Sequence, residues 1–456
     1  MKKVFLILIL LVLTAGAQAA QAFEAGWKNN FGGRGSDVYS SVTAVPGGVV
    51  AVGDSFETSF GSGDWADFTG MGSFDAIIVK YDGDGDIVWK NNFGGRGHDR
   101  FISVTAASGS VVVVGLSRSD SFGTGDWEGV TGKGSYDAII VKYDVGGNVI
   151  WKNNFGGGGS DQFNSVTMVS GGFVAVGEAN EKSFGSGDWY GIAGNGGLDA
   201  IIVKYDNGGN VVWRNNFGGS GNDRFLSVTA VPGGIVAVGY SLEGSFGSGD
   251  WYGIAGRGAN DAIIVKYDYD GNIVWQNKFG GLGHDHFTSV TAIPDGVVAV
   301  GWSREDSFGS GDWYGVTGHG RSDGIIVRYD SYGNVVWQNK FGGLGPDAFT
   351  SVTAVSGGFI AVGYSHGPSF GNGSWEGVEG NGGGGDAIIV KYDYDGYAVW
   401  KNNFGGGGNE YFLSVTAVPD GFVAVGASSQ DAFGSGDWAG FASNGDTDAT
   451  IVKFSR

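Results

Sequence analysis

The chain has 456 residues, a formal charge of −20 at neutral pH, 92 glycines and no cysteine. The acidic balance excludes a nucleic-acid or anionic-membrane partner, because phosphate contacts need clustered Lys and Arg, and the missing thiols exclude disulfides. Glycine at this level implies disorder only when it lacks a period. The first segment, "MKKVFLILILLVLTAGAQAAQA", joins a basic start, a short apolar run and small residues. It predicts a signal peptide over residues 1–22, cleaved after Ala19 or Ala22, because the apolar run falls short of the roughly 20 residues a bilayer needs. A secreted or periplasmic protein without membrane insertion is expected, and a monomer.

Residues 23–456 are periodic. Tryptophans at 27, 89, 151, 213, 275, 337 and 400 mark copies of about 62 residues, and such periods come first in reading a sequence. After Trp213 the elements run "FLSVTAV", "GGIVAVGYS", the long loop "LEGSFGSGDWYGIAGRGAN", "DAIIVKYD" and "IVWQNKFGG". Alternation, β-branched residues and Gly/Asn/Asp punctuation predict four antiparallel strands and no helix. Seven such copies predict an all-β fold, a seven-bladed β-propeller with four-stranded antiparallel blades. A β-solenoid is the alternative, but it needs end caps.

The ends favour the ring. The repeats open with "AGWKNNFGG", a fourth strand with nothing before it, and finish with "DATIVKFSR", a third strand with nothing after it. The N-terminal strand is therefore expected to complete the last blade as its outermost member, which removes open strand edges. "SVTAV" is then innermost, around a central channel. The "FGGxGxD" and "SFGSGDW" loops share one face, opposite the tight "PGG" and "YDGN" turns. Elaborated loops are where a propeller is expected to bind.

The string "DAIIVKYDYDGNIVWQNKFGGLGHD", followed by "SVTAIPDGVVAVGWS", resembles the SBBP-type β-propeller repeats of secreted bacterial proteins. The similarity covers every copy from residue 24 onward. It implies an exported propeller and no particular activity. No enzymatic, anchoring or sorting segment accompanies the repeats, so the propeller is expected to be the working part.

Several motifs invite a chemical reading. The "YDYDGN" turn at Tyr267–Asn272 lacks the terminal Glu of an EF-hand and reads as a hairpin turn with Gly at positive φ. It nearly matches the Asp-box of sialidases and the tryptophan-docking repeat of quinoprotein dehydrogenases, with the glycine displaced by one residue. Acids recur at Asp37, Asp99, Asp161, Asp223, Asp285, Asp347 and Glu410, and in "GDW" at Asp64, Asp126, Asp188, Asp250, Asp312 and Asp437. They are expected to cap amides of their own loops; weak calcium binding by an acidic loop face is the second expectation. Phe60, Trp65 and their repeats read as loop anchors. His284-Asp285-His286 lacks further ligands, so no metal or cofactor site is assigned. No catalytic constellation stands apart from the repeat, and an enzyme is not expected.

The copies disagree at two positions inside constant surroundings. After "VAVG" stand Asp54, Leu116, Glu178, Tyr240, Trp302, Tyr364 and Ala427; after the loop acid stand Val38, Arg100, Gln162, Arg224, His286, Ala348 and Tyr411. Trp302 is the one tryptophan of 15 outside the repeat register. Tyr240, Trp302, Tyr364, Arg224 and His286 are the candidate ligand-binding residues, with the three large aromatics expected to form one patch. The expected function is a binding or scaffold module for an extracellular or envelope protein or a glycan. The alternatives are an extracellular glycosidase or lyase and a purely structural surface protein.

Overall fold

A computed structural model of the protein describes residues 23–455, and every structural statement below refers to these; the expected leader, residues 1–22, lies outside them. Blade 1 consists of β2 (Asp37–Val45), β3 (Gly48–Phe56), β4 (Phe74–Asp82) and β5 (Ile87–Phe93), paired antiparallel in that order. Strands β6 to β25 repeat the arrangement five times over residues 99–404. Blade 7 takes β26 (Glu410–Val418), β27 (Gly421–Ser429) and β28 (Thr447–Ser455) from the chain's end and β1 (Glu24–Phe31) from its beginning. The β1–β28 pair is antiparallel and runs from Glu24 opposite Ser455 to Phe31 opposite Ala449. Seven blades with an N-terminal closing strand are the architecture expected from the half-cut ends. Among the described residues no helix is long and apolar enough to cross a membrane.

The sequence pattern follows from position in the blade. Val49 to Val52 of β3 and Ala76 to Val79 of β4 are continuous apolar runs with every side chain buried, because both faces of a central strand pack against neighbouring blades. Successive blades meet in apolar layers such as Val50, Val52 and Ile78 against Phe101, Val113, Trp127 and Ile139. The innermost strand carries a one-residue bulge after Tyr39, repeated in every blade, which bends the strand at the channel. Its free edge is tied to the next blade. The Val104 N–H donates to Ser41 Oγ at 3.3 Å, and the series returns on itself where the Val42 N–H donates to Ser414 Oγ at 3.3 Å.

The outermost strand is held by a device in the turns. Trp89 Nε1 donates to the Val145 carbonyl of the next blade at 3.0 Å, and Asn91 Nδ2 to the Gly147 carbonyl at 2.8 Å. Gly147 lies at φ +84°, and a Cβ there would stand 2.9 Å from the Trp89 ring. Glycine is needed both for the left-handed backbone and for the close approach. Between blades 6 and 7 there is no such turn, since blade 7 takes its outer strand from the start of the chain. There Phe23 packs against Trp400 instead, ring centroids 5.6 Å apart.

Candidate binding face

The long-loop face is built on buried carboxylates. Asp285 is fully buried and accepts hydrogen bonds from the Gly281 N–H (2.9 Å), Ser307 Oγ (2.8 Å) and Trp313 Nε1 (3.3 Å). Asp37 does the same with Gly33 and Ser59. The "GDW" acids tie one loop to another: Asp64 accepts from the Gly32 N–H at 3.0 Å while its own N–H donates to the Gly32 carbonyl at 2.8 Å. Trp65 and its repeats are buried beneath these loops, as expected of anchors.

These contacts bear out the expectation that the recurring acids cap loop amides. The recurring acids are turned inward onto amides, hydroxyls and indole N–H groups, and among the described residues no group of three or more His, Cys, Asp or Glu side chains is placed to share a cation. Burial pushes Asp285 up to about 6, so part of the population is protonated near neutrality.

The two variable positions prove to be cross-strand neighbours. Arg224 faces Tyr240 and His286 faces Trp302, and Tyr240, like Asp54, Glu178 and Tyr364, also meets the first strand of the following blade. The Tyr240 ring stacks on His286, centroids 3.9 Å apart at 12°, and His286 meets Trp302 at 4.3 Å. The Arg224 guanidinium lies 5.8 Å from the Tyr240 centroid and its Nε is 3.1 Å from Glu178 Oε2. One connected series, Glu178–Arg224–Tyr240–His286–Trp302, thus crosses blades 3 to 5 where the innermost strands begin. Burial, with His284 and Arg224 adding to it, pushes the His286 pKa down to about 3. The imidazole is therefore neutral at ordinary pH and serves as an aromatic plate between two others.

Tyr364 stands apart from this series. Its ring contacts are with Tyr411 (5.4 Å) and His366 (5.8 Å), so the expected single patch of three aromatics divides into a stack on blades 4 and 5 and a pair on blades 6 and 7. The division has a physical cause: its neighbour on the first strand, Ala348, is too short to link it to Trp302 as His286 links Trp302 to Tyr240. Between blades 1 and 2 the corresponding contact is an ion pair, Arg100 Nε to Asp54 Oδ1 at 2.8 Å.

Reading the sequence missed two features of the molecule. One is the seat of each outer tryptophan on the next blade's turn. The other is a set of tyrosines directly after the "GDW" turns of blades 3, 4 and 5, Tyr190, Tyr252 and Tyr314, which are 79%, 85% and 85% exposed. The signal for the second was present: the same position is Ala66, Glu128, Glu376 or Ala439 in the other copies.

The strand pairing defines a seven-bladed β-propeller. No family model matches the chain. It is similar to the regulatory protein FlaEY of Caulobacter vibrioides, 24% identical over 257 residues, which is 52% of this chain and 26% of that protein; the match spans about a quarter of the relative's length. Among solved structures it is similar to the WD40 β-propeller domain of Doa1, with 10% identity, a TM-score of 0.45 and coverage of 95% of this chain and 97% of that one. It is also similar to BamB from Moraxella catarrhalis, with 11% identity, a TM-score of 0.41 and coverage of 95% and 100%. These likenesses concern architecture alone.

Proposed function

We propose that this chain is an exported binding scaffold that captures a protein partner at the inner part of its long-loop face, around Tyr240, His286 and Trp302, with Arg224 and Tyr364 beside them. One observation carries the reading. The positions of Tyr240 and Trp302 hold Asp54, Leu116, Glu178 or Ala427 in other blades of the same geometry, so folding does not demand aromatics there. A half-buried aromatic stack flanked by a salt-bridged arginine has the composition of a protein-binding hot spot. The similarity to SBBP-type repeats and the leader pattern of residues 1–22 support export, which N-terminal sequencing of the secreted chain tests directly.

The binding experiment compares Trp302→Ala with Trp313→Ala, using a partner isolated by crosslinking from the cell envelope and titrated by calorimetry. Trp302→Ala should cost roughly 2 kcal/mol or more of affinity and about 1 kcal/mol of stability, the order of one lost aromatic contact. Trp313, fully buried and hydrogen-bonded to Ser303 at 3.1 Å, should cost about 3–5 kcal/mol of stability on truncation. Unchanged affinity in Trp302→Ala would remove the stack from the interface.

A further inference from the structure

Tyr190, Tyr252 and Tyr314 do nothing for the fold. Each follows a three-residue 3-10 turn ending in a buried tryptophan, and the three share one backbone conformation, with φ/ψ of −55°/128°, −55°/128° and −56°/127°. Their N–H groups donate to the carbonyls of Gly187, Gly249 and Gly311 at 3.3, 3.2 and 3.3 Å. Glu128 and Ala439 make the same turn at −54°/132° and −55°/127°, so the conformation requires no aromatic ring. Four further exposed tyrosines, Tyr269, Tyr332, Tyr394 and Tyr397, lie in the tight turns of the opposite face, and only Tyr269 and Tyr394 share a position.

A second feature marks the same sector. The "FGGxG" loops leading into blades 5 and 6 carry Leu282 and Leu344, 67% and 58% exposed, where the other loops carry Arg34, Arg96, Gly158, Ser220 and Gly407. The Leu282 N–H donates to Ser310 Oγ at 3.0 Å, so Leu282 lies against the loop that presents Tyr314. A second exposed apolar side chain therefore stands beside the loop of Tyr314.

We propose that Tyr190, Tyr252 and Tyr314 form a ridge that holds a linear, neutral polysaccharide, one tyrosine per blade. Three identical side chains on superimposable turns offer the same contact three times, and the ligand that uses all three is one that repeats. A folded protein presents a different surface at each step. The charge selects among polymers: in residues 181–197, 243–259 and 305–321 acids outnumber lysines and arginines seven to three, on a chain of net charge −20, which repels an anionic chain. The rigid tyrosine supplies an apolar ring face for a sugar ring and a hydroxyl at its edge, with little side-chain freedom left to lose. The ridge is separate from the Trp302 stack, so the two can be lost independently.

The test is affinity gel electrophoresis of the full chain through gels containing hydroxyethyl cellulose, laminarin, mannan or glycol chitin, with alginate as the anionic control. At least one neutral polymer should retard the protein and alginate should not. Against oligomers of the retarding polymer the dissociation constant should fall tenfold or more, on the order expected of linked sites, once the oligomer spans two blades. The triple variant Tyr190→Ala/Tyr252→Ala/Tyr314→Ala should run unretarded with a thermal midpoint within about 2 °C of the parent, as for exposed positions. Trp302→Ala should be retarded like the parent, which separates this proposal from that of a protein partner at the stack. No retardation by any neutral polymer, equal retardation of the triple variant, or affinity independent of oligomer length would each overturn it. So would a triple variant that loses a protein partner and keeps the polymer.

Discussion

At the scale of single residues, the buried acids couple the fold to pH. Asp37, Asp99, Asp161, Asp285 and Asp347 are each pushed up to about 6, and Glu410 to about 7, chiefly by burial. An acid with a raised pKa binds its proton more tightly in the folded than in the unfolded chain. Its contribution to stability is complete below the unfolded value near 4 and is lost as pH rises through about 6. His286, pushed down to about 3, acts in the opposite sense: its contribution is present above about 6.5 and is lost as pH falls toward 3. Six acids oppose two histidines, since burial also pushes His98 down, so the thermal midpoint is expected to rise as pH is lowered from 8 to about 5. Differential scanning fluorimetry across that range checks this, and a midpoint that falls steadily instead would mean the loop carboxylates are not buried as described. The same residues show what the sequence could disclose. Recurrence in every copy identified the acids as loop caps, and that is their role. The raised pKa could not be seen, because it depends on how completely the loops exclude water.

At the scale of elements, the outer-strand tryptophan and the turn of the next blade act as a clasp. Gly147→Ala adds a Cβ to a left-handed backbone and drives it against the Trp89 ring, so a loss of roughly 2–3 kcal/mol is expected, from overpacking and backbone strain together. Gly123→Ala is the control. It has the same sign of φ, +78°, with nothing within 4 Å, and should cost about 1 kcal/mol. Urea denaturation of the two variants isolates the clasp, and equal losses would mean the contact contributes nothing. The glycine was legible as a turn residue; the clasp was not. Tryptophan and turn recur with the same period, so the sequence alone does not say whether they meet within a blade or across two. Only the curvature of the ring decides that. The aromatic series at Tyr240, His286 and Trp302 was half legible for a related reason. Variation against constant register located both positions, but their pairing across neighbouring blades, which leaves Tyr364 with Tyr411, follows from ring geometry.

At the scale of the whole molecule, the ring depends on one non-local strand pair. Besides its ladder with β28, β1 inserts Phe31 into the layer formed with Tyr39 and Trp65, and Asn30 donates to Asp448 at 2.6 Å. Deleting residues 25–33 should expose the edge of β28 and lower the thermal midpoint by about 10 °C or more, a shift that corresponds to several kcal/mol in a protein of this size. A midpoint within about 2 °C of the parent would show that the closing strand is dispensable. The two half-cut ends were legible in the sequence because each completes the other's blade. The substitution of Phe23 for the missing clasp between blades 6 and 7 was not, since nothing in the repeat specifies that position.

The Phe23 seat and the β1–β28 ladder bear on the order of events during synthesis. β1 leaves the ribosome well before its partner β28, so it must wait, unpaired, through the making of the blades between them. Contacts of such long sequence separation form late and slowly, and an unsatisfied strand edge meanwhile invites association with other chains. The consecutive Lys28, Asn29 and Asn30 of "WKNNF" keep that waiting strand hydrophilic, a guard of the kind natural edge strands carry. Any chain that terminates early lacks β28 and leaves the first strand permanently without its mate. Assembly therefore becomes a test of completeness, in which only a chain translated through β28 can shut the ring.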